Sequence, residues 1–438
     1  MTARVLHGDA LEQLATLPDA SVDAVVTDPP YGLANTSPAQ VVEALTRWTS
    51  GDRAFLPSGR GFMGHEWDGF VPPPAVWDEC LRVLKPGGHL LAFAGSRTHD
   101  LMGLGIRLAG FEIRDSVAWL YGSGFPKSLD VSKAIASGGG RPEDIRRMAM
   151  GDEYVPSGRG RVNYDHGGGS AMNGTIGGIE LPPAARQWEG WGTALKPAFE
   201  PVTLARKPLE GTVAANVLEH GTGALNIDAC RVGMSDADRA VVDSRSGGLT
   251  EPADGTFLGG IGQRDGLFKS APGGRWPANV VLDESQAAEL DRQSGNVKTG
   301  ATKPHQRDPD SAPMFKVGKW MTHSQPASEG GASRFFYVAK APSSERPVVD
   351  GVAHPTVKPL QLMRWLVRMV TPPGGVVLDP FAGSGTTLEA GVLEGVDVIG
   401  VEREDDYHPL ILARLQRAEA EVERLAREAA ERPPLFEV

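Results

Sequence analysis

Two short stretches set reactive residue types on stiff turns. VVTDPPYGL, from Val25 to Leu33, ends an apolar run with an acid, two prolines and a tyrosine. Val25 and Val26 suit a strand interior, but Pro29 and Pro30 have no N–H for a ladder, so the chain must leave the sheet there. The turn then displays the Asp28 carboxylate and the Tyr31 ring to whatever lies beyond the strand. VVLDPFAGSGTTLEA, from Val376 to Ala390, reads as a strand, a glycine turn and a helix start. That arrangement lets backbone approach a ligand closely.

Three ligand classes compete for the glycine turn. A Walker phosphate loop needs a lysine before its final Ser or Thr, and none is present. The dinucleotide fingerprint wants a small residue three positions after Gly385, where Leu388 stands. The third candidate is S-adenosylmethionine. Glu402 favours a nucleoside ligand, because an acid ending the next strand about 20 residues on can take both ribose hydroxyls. Alone, such an acid would read as a solvated loop charge.

The elements that must position these turns follow from periodicity. RVLHG, ALEQLATL and DAVVTD alternate strand, helix and strand; a helix is predicted from about Pro74 to Leu84, LKPGG closes it, and HLLAFAG opens another strand. This rhythm predicts an α/β domain with a largely parallel sheet. From about Ala136 the texture changes to glycine, proline, serine and arginine, predicting long loops around short apolar islands such as WGTALKPAFEPVTLARKPL, GTGALNIDACRV and GRWPANVVLD. The regular pattern returns at His354, with HPTVKPLQLMRWLVRMV as a helix entered through a proline turn and GVDVIGVERE as a strand. From Pro409 to Arg432, Ile411, Leu415, Ala418, Val422, Leu425 and Ala429 recur at spacings of four and three. They predict a terminal helix packed on its own domain, with a dimer seam as the alternative.

Composition bounds the rest. The 438 residues suffice for two to three domains at about 150 residues each. The start of the sequence lacks a signal-like apolar run and no segment reaches the roughly 18 apolar residues of a membrane span, so a cytoplasmic protein is expected. Cys80 and Cys230 stand far apart and the ten histidines are scattered, so neither a disulfide framework nor a metal site is expected. The net charge of −11 argues against a generic nucleic-acid coat. Yet 131–340 carries 24 Lys and Arg against 24 Asp and Glu, so the acidic excess lies in the flanks and a local basic groove remains feasible.

DPPY and FAGSGT, with VLKPGG between them and HPTVKP just before the second, resemble the amino-group DNA methyltransferases that use S-adenosylmethionine. With DPPY about 350 residues ahead of the cofactor loop, the order is similar to the beta group of that family. The resemblance covers roughly 1–130 and 350–410. It implies a circularly permuted, Rossmann-like class I methyltransferase sheet with a large irregular inserted target-recognition region. The expected division is a catalytic half at 1–135, the insert at 136–345, a cofactor-binding half at 346–410 and a terminal helix and tail at 411–438.

Residue by residue, the resemblance makes Asp28, Pro29, Pro30 and Tyr31 the catalytic turn. It places Asp379, Phe381, Gly383 and Gly385 around the methionine part of the cofactor and Glu402 on its ribose. Thr356 and Lys358 fall near the methionine carboxylate, and Asp9 at the adenine edge. An exocyclic amino nitrogen is a poor nucleophile because its lone pair is delocalised into the ring. If Asp28 and the Pro29 carbonyl both accept its N–H bonds, the nitrogen can pyramidalise and aim that lone pair at a methyl group. The base must leave the duplex to reach the turn, and Tyr31 offers it a stacking face. Transfer is then an in-line displacement that depends on alignment.

An aspartate before PPY goes mostly with adenine N6 in that group, with cytosine N4 as the alternative. Cytosine C5 chemistry needs a cysteine presented after a proline, and Cys80 and Cys230 follow Glu and Ala. Two further rivals are transfer to another amide or amino group and a DNA-binding protein that has lost catalysis. Double-stranded DNA is the expected partner, with a homodimer and a cognate restriction endonuclease as further possibilities. Candidate DNA contacts are Trp188, Trp191, Trp276, Trp320, SGRGRVNYD and KPHQR.

Overall fold

The computed structural model describes residues 2–33, 36–58, 68–124, 128–136, 175–176, 179–180, 183–245, 273–299, 327–340, 347–349, 351–354 and 356–431. SGRGRVNYD, KPHQR and Trp320 lie outside them. Two compact units result, one of 1–122 with 199–438 and one of 123–198.

The larger unit is built on a nine-stranded sheet. Its strands, in chain order, are β1 (Ala3–His7), β2 (Val22–Thr27), β3 (Leu84–Phe93), β4 (Glu112–Leu120), β5 (Phe199–Arg206), β6 (Val280–Asp283), β7 (Tyr337–Ala339), β8 (Val376–Asp379) and β9 (Asp397–Glu402). They lie side by side as β1-β9-β8-β2-β3-β5-β4-β6-β7. Every pairing is parallel except the two made by β5, which runs antiparallel between β3 and β4. The late strands β8 and β9 thus lie between β1 and β2.

Both faces of this sheet are covered, and the strands show it by burying alternate residues to opposite sides. Ala24, Val26, Leu91, Phe93, Val377 and Val398 pack into one core, together with α7 (Leu360–Val370), α8 (Thr386–Leu393) and α9 (His408–Glu431). Val25, Leu90, Ala92, Leu378 and Ile399 pack into the other, with α1 (Ala10–Leu14), α2 (Pro38–Thr49), α3 (Pro74–Val83) and α4 (His99–Leu108). Helix α5 (Val213–His220) follows β5, and α6 (Glu284–Ser294) follows β6.

Three departures from the sequence-based expectation are informative. LKPGG opens β3 instead of closing α3: Leu84 already pairs with Val22, and the register then jumps so that Ala24 meets His89. The intervening bulge is held from afar, since the Pro86 carbonyl accepts bonds from Asn216 Nδ2 (2.9 Å) and Thr222 Oγ1 (2.5 Å). Second, β5, β6 and β7 all come from 136–345, the stretch expected to be an irregular insert, and join the main sheet. β5 and β6 extend ladders that the N-terminal strands β3 and β4 begin, and β7 adds to β6. Third, the terminal helix leaves its far end unpacked: Ile411, Leu415 and Ala418 are buried and Val422 packs at the core's margin, whereas Leu425 is 49% exposed.

The smaller unit has a helix at Val131–Ala136, a two-residue antiparallel pair of Thr175–Ile176 with Ile179–Glu180, and a helical turn at Pro183–Arg186. Ser128 Oγ accepts the Thr193 N–H at 2.9 Å, and Trp188 meets Trp191 edge-on at 5.2 Å.

Candidate active site

The turn after β2 is clamped by two separate segments. Asp68 Oδ1 accepts both the Tyr31 and Gly32 N–H groups, at 2.8 and 3.0 Å, and Thr98 Oγ1 donates to the Tyr31 carbonyl at 2.6 Å. Gly32 is required here, with φ +65° and the Val71 nitrogen only 2.7 Å from where a Cβ would stand. Pro29 and Pro30 supply stiffness while Asp68 supplies the acceptor that the turn's free N–H groups need.

Four side chains converge on this turn. The Tyr31 hydroxyl lies 2.8 Å from Asp28 Oδ1 and 2.9 Å from Glu200 Oε2. Lys358 Nζ donates to Asp28 Oδ2 at 2.6 Å and lies 3.3 Å from Glu200 Oε2. The ammonium also sits 5.2 Å from the Tyr31 ring centroid and 5.0 Å from that of Phe93, within cation–π range. Burial, then the Asp28 and Glu200 charges, hold the Tyr31 phenol well above its ordinary range. For Lys358 burial is the largest influence and disfavours the charge, but Asp28 and Glu200 together outweigh it and the pKa is raised. Lys358 is therefore a buried, charged amine spanning two carboxylates. Tyr121 joins from the end of β4, its phenol pushed up to about 12 by burial and by Glu200.

The glycine turn lies on the adjacent strand. Thr27 Oγ1 donates to Asp379 Oδ1 at 2.6 Å, bonding the last residue of β2 to the last residue of β8. Burial pushes the Asp379 carboxyl up to about 6, against the opposing pull of its Thr27, Thr387 and Phe381 donors. The loop is held by backbone bonds, one to the neighbouring strand and one internal: Ala382 N–H donates to the Val401 carbonyl of β9 (2.8 Å) and Gly385 N–H to the Ala382 carbonyl (2.7 Å). Gly385 has φ +82°, and a Cβ there would lie 3.1 Å from Ile411 Cα on α9. Helix α8 is fixed to α9 by the buried Glu389–Arg414 ion pair, with Arg417 Nε also donating to Glu389 at 2.7 Å.

Glu402 closes the loop from β9. Its Oε2 accepts the Gly383 N–H at 2.7 Å and its Oε1 the Glu404 N–H at 2.8 Å, while burial raises its pKa. The Arg403 N–H also reaches this carboxylate, which leaves one of its roughly four lone-pair sites for a further donor. Asp9 is exposed, caps α1 by accepting the Leu11 N–H at 2.9 Å, and follows Gly8, whose N–H donates to the Glu402 carbonyl at 3.0 Å. Phe381 is half-buried against the α1–α4 core. Thr356 is exposed, and its carbonyl lies 2.5 Å from His354 Nδ1.

Asp9, Asp28, Asp379 and Glu402 thus all stand at the carboxyl ends of the parallel strands β1, β2, β8 and β9, the edge at which open α/β sheets bind ligands. Lys358, expected near the cofactor's methionine carboxylate, has Asp28 and Glu200 as its charged partners. Sequence reasoning missed Glu200, Asp68 and Tyr121. Glu200 carries only the weak signal of an acid inside the apolar island PAFEPV, and Asp68 sits in an ordinary WDG turn. Cys80 and Cys230 are buried free thiols. Burial pushes both up, Cys230 to about 12. Trp276 is 66% exposed, with the Arg231 guanidinium 5.4 Å from its ring. Among the described residues no helix is long and apolar enough to cross a membrane.

Residues 268–413 match the family model described as DNA methylase, of the N6/N4 type. The match contains the glycine turn and Glu402 and bears out the family resemblance carried by the motifs; it does not separate adenine from cytosine. The chain is 36% identical over 78 residues to the type II methyltransferase M.ScaI of Streptomyces caespitosus, covering 18% of this chain and 25% of that protein. It is 42% identical over 65 residues to the DNA adenine methyltransferase YhdJ of Escherichia coli K12, covering 15% and 22%. The matched stretches span less than a third of the length of these curated relatives. Among solved structures, the cytosine-N4-specific PvuII DNA methyltransferase aligns over 97% of this chain and 92% of its own, at 13% identity and a TM-score of 0.39.

Proposed function

We propose that this DNA methylase-family chain transfers a methyl group from S-adenosylmethionine to the exocyclic N6 of an adenine turned out of duplex DNA. The Thr27–Asp379 bond carries the reading, because it sets the DPPY turn directly beside the glycine turn although 352 residues separate them. A donor base on one turn and a methyl source on the other need that adjacency.

The donor set suits the cofactor. Glu402 keeps acceptor capacity for a ribose hydroxyl, and Asp379, Phe381, Gly383 and Gly385 would surround the methionine part, with Thr356 near its carboxylate and Asp9 at the adenine edge. When bound, the sulfonium supplies an electrophilic methyl group. On the protein side, each Asp28 oxygen already accepts one bond, from Tyr31 or Lys358, and keeps a lone pair for the target N–H. The Pro29 carbonyl takes the second N–H, and Lys358 holds the Asp28 carboxylate in place.

Adenine is favoured by the aspartate that opens the turn, and the similarity to the DNA adenine methyltransferase YhdJ supports it. Cytosine N4 is the second reading, since its amino group offers the same two N–H donors. Target recognition falls to the segments between β4 and β7, with exposed Trp276 and its Arg231 neighbour as candidate DNA contacts.

The test is methyl transfer from isotopically labelled S-adenosylmethionine to mixed-sequence duplex DNA, with digestion and mass spectrometry of the nucleosides. Labelled N6-methyladenine is expected, reduced by at least about 10²-fold in Asp28→Ala. Labelled N4-methylcytosine would replace the base assignment; a protein that labels neither would refute the methyl-transfer reading.

A further inference from the structure

Resting on that methyl-transfer reading, we infer that Glu200 is the final acceptor of the proton that the target nitrogen must lose, reached from Asp28 through the Tyr31 hydroxyl. The geometry begins with a proton count. A phenol carries one proton, yet the Tyr31 oxygen lies within hydrogen-bond distance of two carboxylates, at 2.8 Å from Asp28 and 2.9 Å from Glu200. It can donate to only one of them at a time. Lys358 serves both but lies closer to Asp28, at 2.6 against 3.3 Å. Two carboxylates and one ammonium leave a net charge of −1 on this cluster, so it has room for one more proton.

The reaction produces that proton. Once the amino nitrogen bonds to the methyl carbon it carries a positive charge and must break one N–H bond, keeping the electron pair. The proton passes to Asp28 Oδ1. Asp28 then donates it to the Tyr31 oxygen as the original phenol proton moves to Glu200 Oε2. The end state is a neutral methylated amine, an Asp28 carboxylate, a Tyr31 phenol and a Glu200 carboxylic acid; one proton has moved and no redox change has occurred. In the free protein Asp28 is 22% exposed and Glu200 18%, but a base seated on Asp28 covers that carboxylate and leaves Glu200 as the outlet. The titratable groups that face Glu200 are Tyr31 from the β2 turn, Lys358 from the approach to α7 and Tyr121 from the end of β4, with Asp28 across the phenol.

A purely structural Glu200 would neutralise Lys358 and nothing more, and the experiment separates the two roles. Steady-state turnover is measured from pH 6 to 9 for wild type, Glu200→Gln and Glu200→Asp, with KM for DNA and cofactor affinity determined alongside. At pH 6 to 7, Glu200→Gln should turn over at least about tenfold more slowly, with KM and cofactor affinity unchanged. The deficit should shrink as pH rises or imidazole is added as an outside base, and Glu200→Asp should recover part of the rate. In cofactor-free protein, ultraviolet difference titration against Tyr31→Phe should show the Tyr31 phenol ionising at lower pH in Glu200→Gln, because one flanking carboxylate is gone. An active wild type with Glu200→Gln indistinguishable from it at every pH overturns the acceptor role alone. A wild type that labels no base overturns the methyl-transfer reading itself.

Discussion

The two motif-bearing turns are neighbours at the ends of β2 and β8, but different forces hold them. The DPPY turn depends on side chains from distant segments: Asp68, Thr98, Lys358 and Glu200 all bond to it. The glycine turn is shaped mainly by its own backbone, through Gly383 and Gly385 at positive φ and the bond from Gly385 to Ala382. One is a surface assembled by tertiary structure, the other a local conformation written in glycine. The first should fail when a remote residue is lost, the second when its own residues gain a Cβ.

Four perturbations sharpen that contrast. The largest effect concerns the bond that couples the turns. Asp379 is raised to about 6 from a reference value of 3.8, so the folded protein binds more protons than the unfolded chain between those values. Stability therefore falls as pH rises through roughly 4 to 6, by an amount on the order of 3 kcal/mol from this group alone. Replacing Asp379 with Asn should flatten that limb of the stability curve in urea titrations at each pH. Next, Asp68→Ala removes the acceptor for two turn N–H groups and should cost about 1.5–3 kcal/mol of stability. Methyl transfer should fall while calorimetry shows cofactor affinity retained. Gly385→Ala is the converse: the left-handed backbone and the approach of Ile411 make a cost of about 1–2 kcal/mol, felt as weakened cofactor binding. A Leu425→Ser change on the exposed end of α9 should shift stability by less than about 0.5 kcal/mol.

The same contrast accounts for what could be read from the chain beforehand. The glycine turn, its strand and its helix were legible because glycine spacing and β-branched runs are local signals, and β1, β2, β8 and β9 follow their apolar patterns. The DPPY turn was legible as a rigid display, but not its supports. Nothing near Glu200 or Asp68 in sequence says that they meet Tyr31, since those contacts join residues 169 and 37 positions apart. The strand role of LKPGG was hidden for the same reason: its bulge is fixed by Asn216 and Thr222. Short strands such as β6 and β7 give too few residues for a period to declare itself.

The strand order also has a consequence for biosynthesis. Among the described residues β1 pairs with β9 alone, and one flank of β2 belongs to β8, so these early strands wait for later ones. At ~5–20 residues per second, the interval between residues 27 and 379 leaving the peptidyl-transferase centre is on the order of 20 to 70 s. Throughout it the nascent chain presents unpaired strand edges, the form most prone to pairing with another chain. Only when β8 itself has emerged can it slide in beside β2, so chaperone cover during translation, more than the stability of the finished fold, should govern how much protein a cell obtains.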